Sequence, residues 1–158
     1  PDWEPKAGPA VILGAGGAAR AIIVALADAG VTEMLLTNRT RAKSDALRAE
    51  FGAKINVYEW VQAGNMLEGA VTVVNTSSLG MVGKPEFRVP LDGLSPKAVV
   101  NDLVYTPLET SFLKQAKEIG CTTVDGLGML LHQAAPAFER WFGQRPEVDE
   151  TLRQVMLR

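Results

Sequence analysis

Val11 to Arg20 read VILGAGGAAR, an apolar run that breaks into a glycine cluster and then into helix-forming residues. A strand that turns sharply into a helix needs a residue without a Cβ at the corner, and Gly14 stands there. Gly16 leaves no side chain between the backbone and whatever binds above it. Gly17 and Ala18 continue the small stretch with Ala15, and Ala19, in the third small position, lets the helix approach the sheet closely. The helix that follows points unpaired N–H groups and the positive end of its dipole at the loop. This is the physical recipe for holding a dinucleotide pyrophosphate.

A glycine turn can join any strand to any helix, so the flanks decide. Ala10 to Leu13 reads as a strand before the glycines, and Ala18 to Ala29, AARAIIVALADA, reads as a helix apolar on nearly every face. Gly30 stops it, and Met34 to Thr37 reads as a second strand. Strand, helix and strand fit into about thirty residues, the length of a βαβ crossover. That context turns the fingerprint into a dinucleotide site.

The end of the second strand discriminates between dinucleotides. A domain that prefers NAD carries an Asp or Glu about 20 residues past the glycines, accepting from the ribose 2′-hydroxyl. Here the chain reads Thr37, Asn38, Arg39, Thr40, with no acid. Arg39 and, one helical turn on, Lys43 can face one point, with Arg41 beside them. Basic residues at a helix N-terminus are poorly placed unless an anion compensates, and a guanidinium meets a phosphate with two parallel hydrogen bonds. The expected cofactor is NADP. The bland alternative is a solvated surface helix with Thr40 as its N-cap.

Composition narrows the field. At 158 residues the chain is long enough for one full core. A net charge of −2 gives no reason to expect nucleic acid or an anionic membrane as partner. Cys121 is the one cysteine, so no internal disulfide forms and a cytoplasmic location is expected, with the thiol a small buried apolar group. No apolar run reaches the roughly 18 residues needed to span a bilayer. No metal site is expected. Pro1 to Gly8, PDWEPKAG, reads as a linker, which sets the expected boundary at residues 1–9 and 10–158 and makes the chain a piece of something longer.

The alternation continues. Further helices are expected at Thr40 to Phe51, Thr110 to Ile119 (cap Thr110, stop Gly120), Gly126 to Phe142 and Glu147 to Leu157. Further strands are expected at Lys54 to Tyr58, Val71 to Asn75, Lys97 to Asp102 and Cys121 to Val124, with a short helix or turn at Trp60 to Leu67. Val82 to Pro96 is rich in Pro and Gly and is left as loop. The fold expected is α/β, a doubly wound and mostly parallel Rossmann-like sheet in the order 3-2-1-4-5-6, with C-terminal helices. In such sheets ligands sit beyond the carboxyl ends of the strands. That draws attention to Thr76, Ser77 and Ser78, to Leu103 and Tyr105, and to Gly126, Met129 and Gln133.

GAGGAAR (14–20), NRT (38–40) with Lys43 three beyond, NTSSLGM (75–81), DLVYTPLET (102–110) and DGLGMLLHQAAPAFERWFG (125–143) follow one another along nearly the whole chain. In this succession the chain resembles the C-terminal, NADP-binding half of shikimate dehydrogenases. The resemblance implies that Gly14, Ala15, Gly16, Gly17 and Ala18 cradle the pyrophosphate, and that Asn38, Arg39, Thr40 and Lys43 hold the adenosine 2′-phosphate. It places Thr76, Ser77 and Ser78 on the nicotinamide side, Leu103, Gly126 and Met129 near the nicotinamide, and Tyr105 and Gln133 toward the substrate. The implied reaction is the reversible reduction of 3-dehydroshikimate to shikimate by NADPH, in aromatic amino-acid (chorismate) biosynthesis. In the family a Lys and an Asp of an N-terminal substrate domain handle the proton; no catalytic residue is expected in this chain, which should bind cofactor and turn over poorly. Rival readings are a quinate/shikimate dehydrogenase using NAD, a non-catalytic NADP-binding module, and a methyltransferase, the last opposed by the missing acid.

Several residues have plainer roles. His132, the one histidine, reads as a partly exposed helix residue, and Pro136 should kink its helix. Met129, Leu130, Leu131, Phe138 and Trp141 read as core. Leu152, Val155 and Met156 give the last helix an apolar side that would pack on a missing domain or, left open, promote a homo-oligomer.

Overall fold

Short apolar runs punctuated by glycines build the sheet that these patterns imply. The computed structural model describes residues 3–158. In chain order it contains β1 (Ala10–Leu13), α1 (Gly17–Asp28), β2 (Met34–Thr37), α2 (Arg41–Phe51), β3 (Ile55–Tyr58) and two 3-10 helical turns (Trp60–Gln62 and Asn65–Leu67). Then come β4 (Thr72–Asn75), β5 (Val99–Asp102), α3 (Ser111–Ile119), β6 (Thr122–Val124), α4 (Leu127–Phe142) and α5 (Glu150–Met156). All pairings are parallel, in the order β3-β2-β1-β4-β5-β6, which is the doubly wound order expected.

Alternation along each strand supplies both faces. Val11 and Leu13 of β1 pack with Val73, Val100 and Phe112 on one side. Ala10 and Ile12 pack with Ala19, Ile23, Leu36 and Leu47 on the other. Leu13 stands level with Thr37 and Asn75, and Asn75 with Asp102, so the strands finish along one edge. Residues 82–96, expected as loop, have no regular elements, yet Phe87, Val89, Leu91 and Leu94 are buried. Phe87 stacks on Phe112 with ring centroids 4.3 Å apart, which ties this stretch to α3.

Two expectations are corrected. Helix α1 is buried along one stripe only (Ala19, Ile23, Leu26), and Val24 is 45% exposed. Phe138 and Trp141 are not core: they are 44% and 76% exposed, because α4 buries Leu127, Leu131 and Ala135 and carries its far end past the sheet toward α5. Helix α4 runs through Pro136, as its expected span implies. His132 is exposed and Cys121 buried, as read, and burial pushes the thiol up. The linker reading of residues 1–9 falls partly outside the described residues at 1 and 2. From residue 3 the segment lies against the sheet: Trp3 Nε1 donates to Thr72 Oγ1 at 2.9 Å.

Candidate functional site

The glycine loop connects β1 to α1 at the carboxyl edge of the sheet. Gly14 has φ 115°, and a Cβ there would lie 2.7 Å from Thr76 Oγ1 and 2.9 Å from the Ser77 nitrogen. Both its conformation and its surroundings therefore demand glycine. Gly16 and Gly17 differ: an added Cβ meets nothing within 4 Å at either. They border open space above the start of α1, where Gly16 stands at the N-cap position with no capping side chain. The first N–H groups of α1 are thus left for a ligand.

At the end of β2 the side chains divide into braces and free cations. Asn38 accepts from the Ala15 N–H (3.2 Å) through Oδ1 and donates to the Thr40 carbonyl (3.0 Å) through Nδ2. Its side chain thus braces the glycine loop against the end of β2. Arg41, expected beside Arg39 and Lys43, is drawn away by Asp45 and Glu59. Arg39 and Lys43 are exposed and belong to none of the ion pairs among the described residues. Thr40 occupies the N-cap position of α2 without a side-chain cap bond, and the first turn of α2 holds no acid. Arg39 also lines a cavity of about 350 Å³ with Trp60, Leu79, Pro85 and Arg88.

The loops after β4 and β5 are locked together by a buried pair that the sequence reading missed. Asn75 and Asp102, both fully buried, stand opposite each other at the strand ends. Asp102 Oδ1 accepts from Asn75 Nδ2 (3.0 Å) and the Val104 N–H (3.0 Å), and Oδ2 accepts from Thr110 Oγ1 (2.7 Å). Burial pushes the Asp102 carboxyl above its ordinary value, against the hydrogen bonds from Thr110, Val104 and Asn75. Asn75 Oδ1 accepts from the Ser77 N–H (3.1 Å) and hydroxyl (2.6 Å), and its Nδ2 also donates to the Leu79 carbonyl (3.2 Å). The Thr76 hydroxyl donates to the Leu13 carbonyl (3.1 Å). Thr76 and Ser77 therefore shape their loop from within, and Ser78 stands half-buried between them and Leu79. The signal was a polar residue closing each of two apolar strands, TVVN and VVND.

The third loop completes the edge. A Cβ on Gly126 would lie 2.3 Å from the Leu103 carbonyl oxygen, so only glycine lets the start of α4 close on the loop after β5. Leu103 and Met129 are brought together as walls of one apolar groove that also contains Ile22 and Val74. Tyr105 is 42% exposed, and Gln133 lies on the exposed side of α4. The structure thus collects Gly14 to Ala18, Asn38 to Lys43, Thr76 to Ser78, Leu103, Gly126 and Met129 around the ends of adjacent parallel strands.

A family model described as Shikimate / quinate 5-dehydrogenase matches residues 5–84, half of the chain, and one described as Shikimate 5'-dehydrogenase C-terminal domain matches residues 126–156. The chain belongs to the shikimate/quinate dehydrogenase family. A shikimate dehydrogenase (NADP(+)) of Cereibacter sphaeroides is 70% identical over 157 residues, covering 99% of this chain and 56% of that relative. The chain spans about half the length of the curated relatives it matches. Among solved family structures, a quinate dehydrogenase from Corynebacterium glutamicum in complex with NAD aligns with a TM-score of 0.85 at 30% identity, over 96% of this chain and 55% of that one. Shikimate 5-dehydrogenase from Thermus thermophilus in complex with NADP(H) and shikimate aligns with a TM-score of 0.75 at 37% identity, over 89% and 51%.

Proposed function

We propose that this chain is the NADP(H)-binding part of an NADP-dependent shikimate dehydrogenase, an oxidoreductase that interconverts 3-dehydroshikimate and shikimate in chorismate biosynthesis. The observation that carries the reading is the end of β2, where two cations without an ion-pair partner among the described residues, Arg39 and Lys43, meet an acid-free helix start beside an uncapped α1 N-terminus. The space at Gly16 and Gly17 fits a pyrophosphate, and the cations fit a 2′-phosphate. Asn38, Arg39, Thr40 and Lys43 would hold that phosphate, and the first N–H groups of α1 the pyrophosphate. The loops at Thr76 to Ser78, Leu103, Gly126 and Met129 would orient the nicotinamide end and exclude water there. When bound, the cofactor supplies or accepts the hydride. Tyr105 and Gln133 would reach the substrate, and the proton would be handled by a Lys and an Asp outside this chain.

The NAD-bound quinate dehydrogenase favours a second reading, an NAD(P)-dependent quinate/shikimate dehydrogenase, which the missing acid at position 38 opposes. No helix among the described residues is long and apolar enough to cross a membrane, and the place of action proposed is the cytoplasm. Phe138, Trp141 and Phe142 are exposed, a surface suited to self-association. Calorimetric titration of the chain with NADP⁺ and NAD⁺ tests the assignment. NADP⁺ should bind at least about tenfold tighter, a gap of about 1.4 kcal/mol. Equal affinities would remove the phosphate clamp, and no binding of either would remove the cofactor reading for the chain.

A further inference from the structure

Asn75 and Asp102 end β4 and β5, and their side-chain hydrogen bonds run to the loops on that half of the proposed cleft. From Asn75, bonds go to both atoms of Ser77 and to the Leu79 carbonyl; from Asp102, to Val104 and to Thr110, whose hydroxyl also accepts from the Leu113 N–H (3.2 Å). The Leu103 N–H donates to the Asn75 carbonyl (3.0 Å), and Leu103 in turn abuts Gly126. Every polar atom of the two side chains is satisfied. The glycine loop follows β1 and abuts Thr76 and Ser77, whereas Arg39 and Lys43 follow β2 and take no part in this network.

A fully buried carboxylate is an expensive way to hold two strands together, since apolar groups of similar volume do so without desolvating a charge. What a carboxylate adds is direction: it fixes three donors from three segments at set angles. Resting on the function proposed above, we propose that Asp102 and Asn75 are positioning residues that set the spacing between the nicotinamide-side loop (76–79) and the loop (103–105) that carries Leu103 to the nicotinamide and Tyr105 to the substrate. Hydride transfer needs donor and acceptor carbons in near contact, and a misplacement of about 1 Å costs about a hundredfold in rate. Arg39 and Lys43, which would hold the adenosine 2′-phosphate, lie beyond β1 from these two loops, so binding of the adenosine half should not depend on that spacing.

The test uses the full chain as its gene encodes it, with adenosine 2′,5′-bisphosphate as the probe of the adenosine half. Asp102→Ala should lower kcat for NADP⁺-dependent shikimate oxidation by about 30-fold or more and leave the affinity for the bisphosphate within about twofold. Asp102→Asn keeps the acceptor for Asn75 and Val104 and can donate to Thr110, so it should bring kcat back to within about fivefold of the parent. Should Asp102→Ala fail to fold, Thr110→Val, which removes one donor at equal volume, carries the test with about a fivefold fall in kcat at unchanged bisphosphate affinity. A kcat within about threefold of the parent in Asp102→Ala overturns the proposal, as does bisphosphate affinity falling in step with kcat. If Thr110→Val has to carry the test, a kcat equal to the parent's overturns it. A parent that neither binds the bisphosphate nor oxidises shikimate removes the underlying function instead, and the proposal with it.

Discussion

Arg153 of α5 grips Asp125, at the start of α4, with two hydrogen bonds: Nη1 to Oδ1 at 3.2 Å and Nη2 to Oδ2 at 2.5 Å. Asp125 Oδ1 also accepts from the Leu127 N–H (3.1 Å), so a single carboxylate starts one helix and anchors another. Both side chains are about one-quarter exposed (25% and 27%), which places the pair between a surface bridge and a buried one. A double-mutant cycle with Arg153→Ala and Asp125→Ala should give a coupling of about 1 kcal/mol in urea unfolding. Arg153→Lys should recover less than half of it, because an ammonium cannot make the paired contact. A coupling near zero would mean that α5 is held by its apolar contacts alone.

The glycines of the loop should separate folding from binding. Gly14→Ala forces a Cβ to within 2.7 Å of Thr76 Oγ1 at a positive φ, so it should cost about 2 kcal/mol or more of stability. Gly16→Ala meets open space at φ −94°, and its stability should stay within about 0.5 kcal/mol of the parent. The added methyl would instead occupy the space assigned to phosphate, so NADP⁺ affinity should fall about tenfold or more. Thermal unfolding and calorimetric titration of both variants check the contrast, and a Gly16→Ala chain that binds normally would move the phosphate elsewhere.

Much of this edge could be read from local features, because strands such as AVIL and MLLT are buried on both faces and need no partner to be recognised. Thr110 and Gly120 marked α3 for the same reason: a cap acts on its own helix, and Thr110 does accept from Leu113 while Gly120 takes φ 106°. Asn75 and Asp102 were out of reach because their meeting depends on the register of two strands more than twenty residues apart, which neither strand encodes alone. Trp141 misled for a related reason. An apolar residue on a helix shows that a face exists, not which layer covers it. The pairing of Arg41 with Glu59 was equally out of reach, because the contact joins residues 18 apart that no local pattern relates.

Burial of Asp102 gives stability an unusual pH dependence. Its carboxyl is raised in the folded chain above the ordinary value of 3.8, so between those two values the folded state holds the extra proton. The stabilising contribution is complete below the unfolded value and is lost as pH rises through the folded one. Asp102→Asn removes that term. Relative to the parent, the variant should gain stability as the medium is taken from about pH 4 to pH 7, measured by urea unfolding at each pH. A variant that loses ground over the same interval would show that the donors from Thr110, Val104 and Asn75 outweigh burial.

The free cations at the end of β2 make the sharpest claim on the cofactor. Arg39 and Lys43 are exposed and unpaired among the described residues, and neither stabilises the fold through an ion pair. Arg39→Ala should therefore leave the unfolding midpoint unchanged while weakening NADP⁺ by about tenfold to a hundredfold, the loss of one or two charge-assisted bonds. Affinity for NAD⁺, which lacks the 2′-phosphate, should change by less than about threefold. Raising the salt concentration should weaken NADP⁺ binding to the parent and matter less in the variant, since exposed charges are screened over about 10 Å at 0.1 M. Titration of both cofactors at two ionic strengths decides it. Equal losses for NADP⁺ and NAD⁺ would place Arg39 against the adenine ring, beside Trp60 and Arg88 in the cavity they share, and leave the phosphate to Lys43 and Thr40.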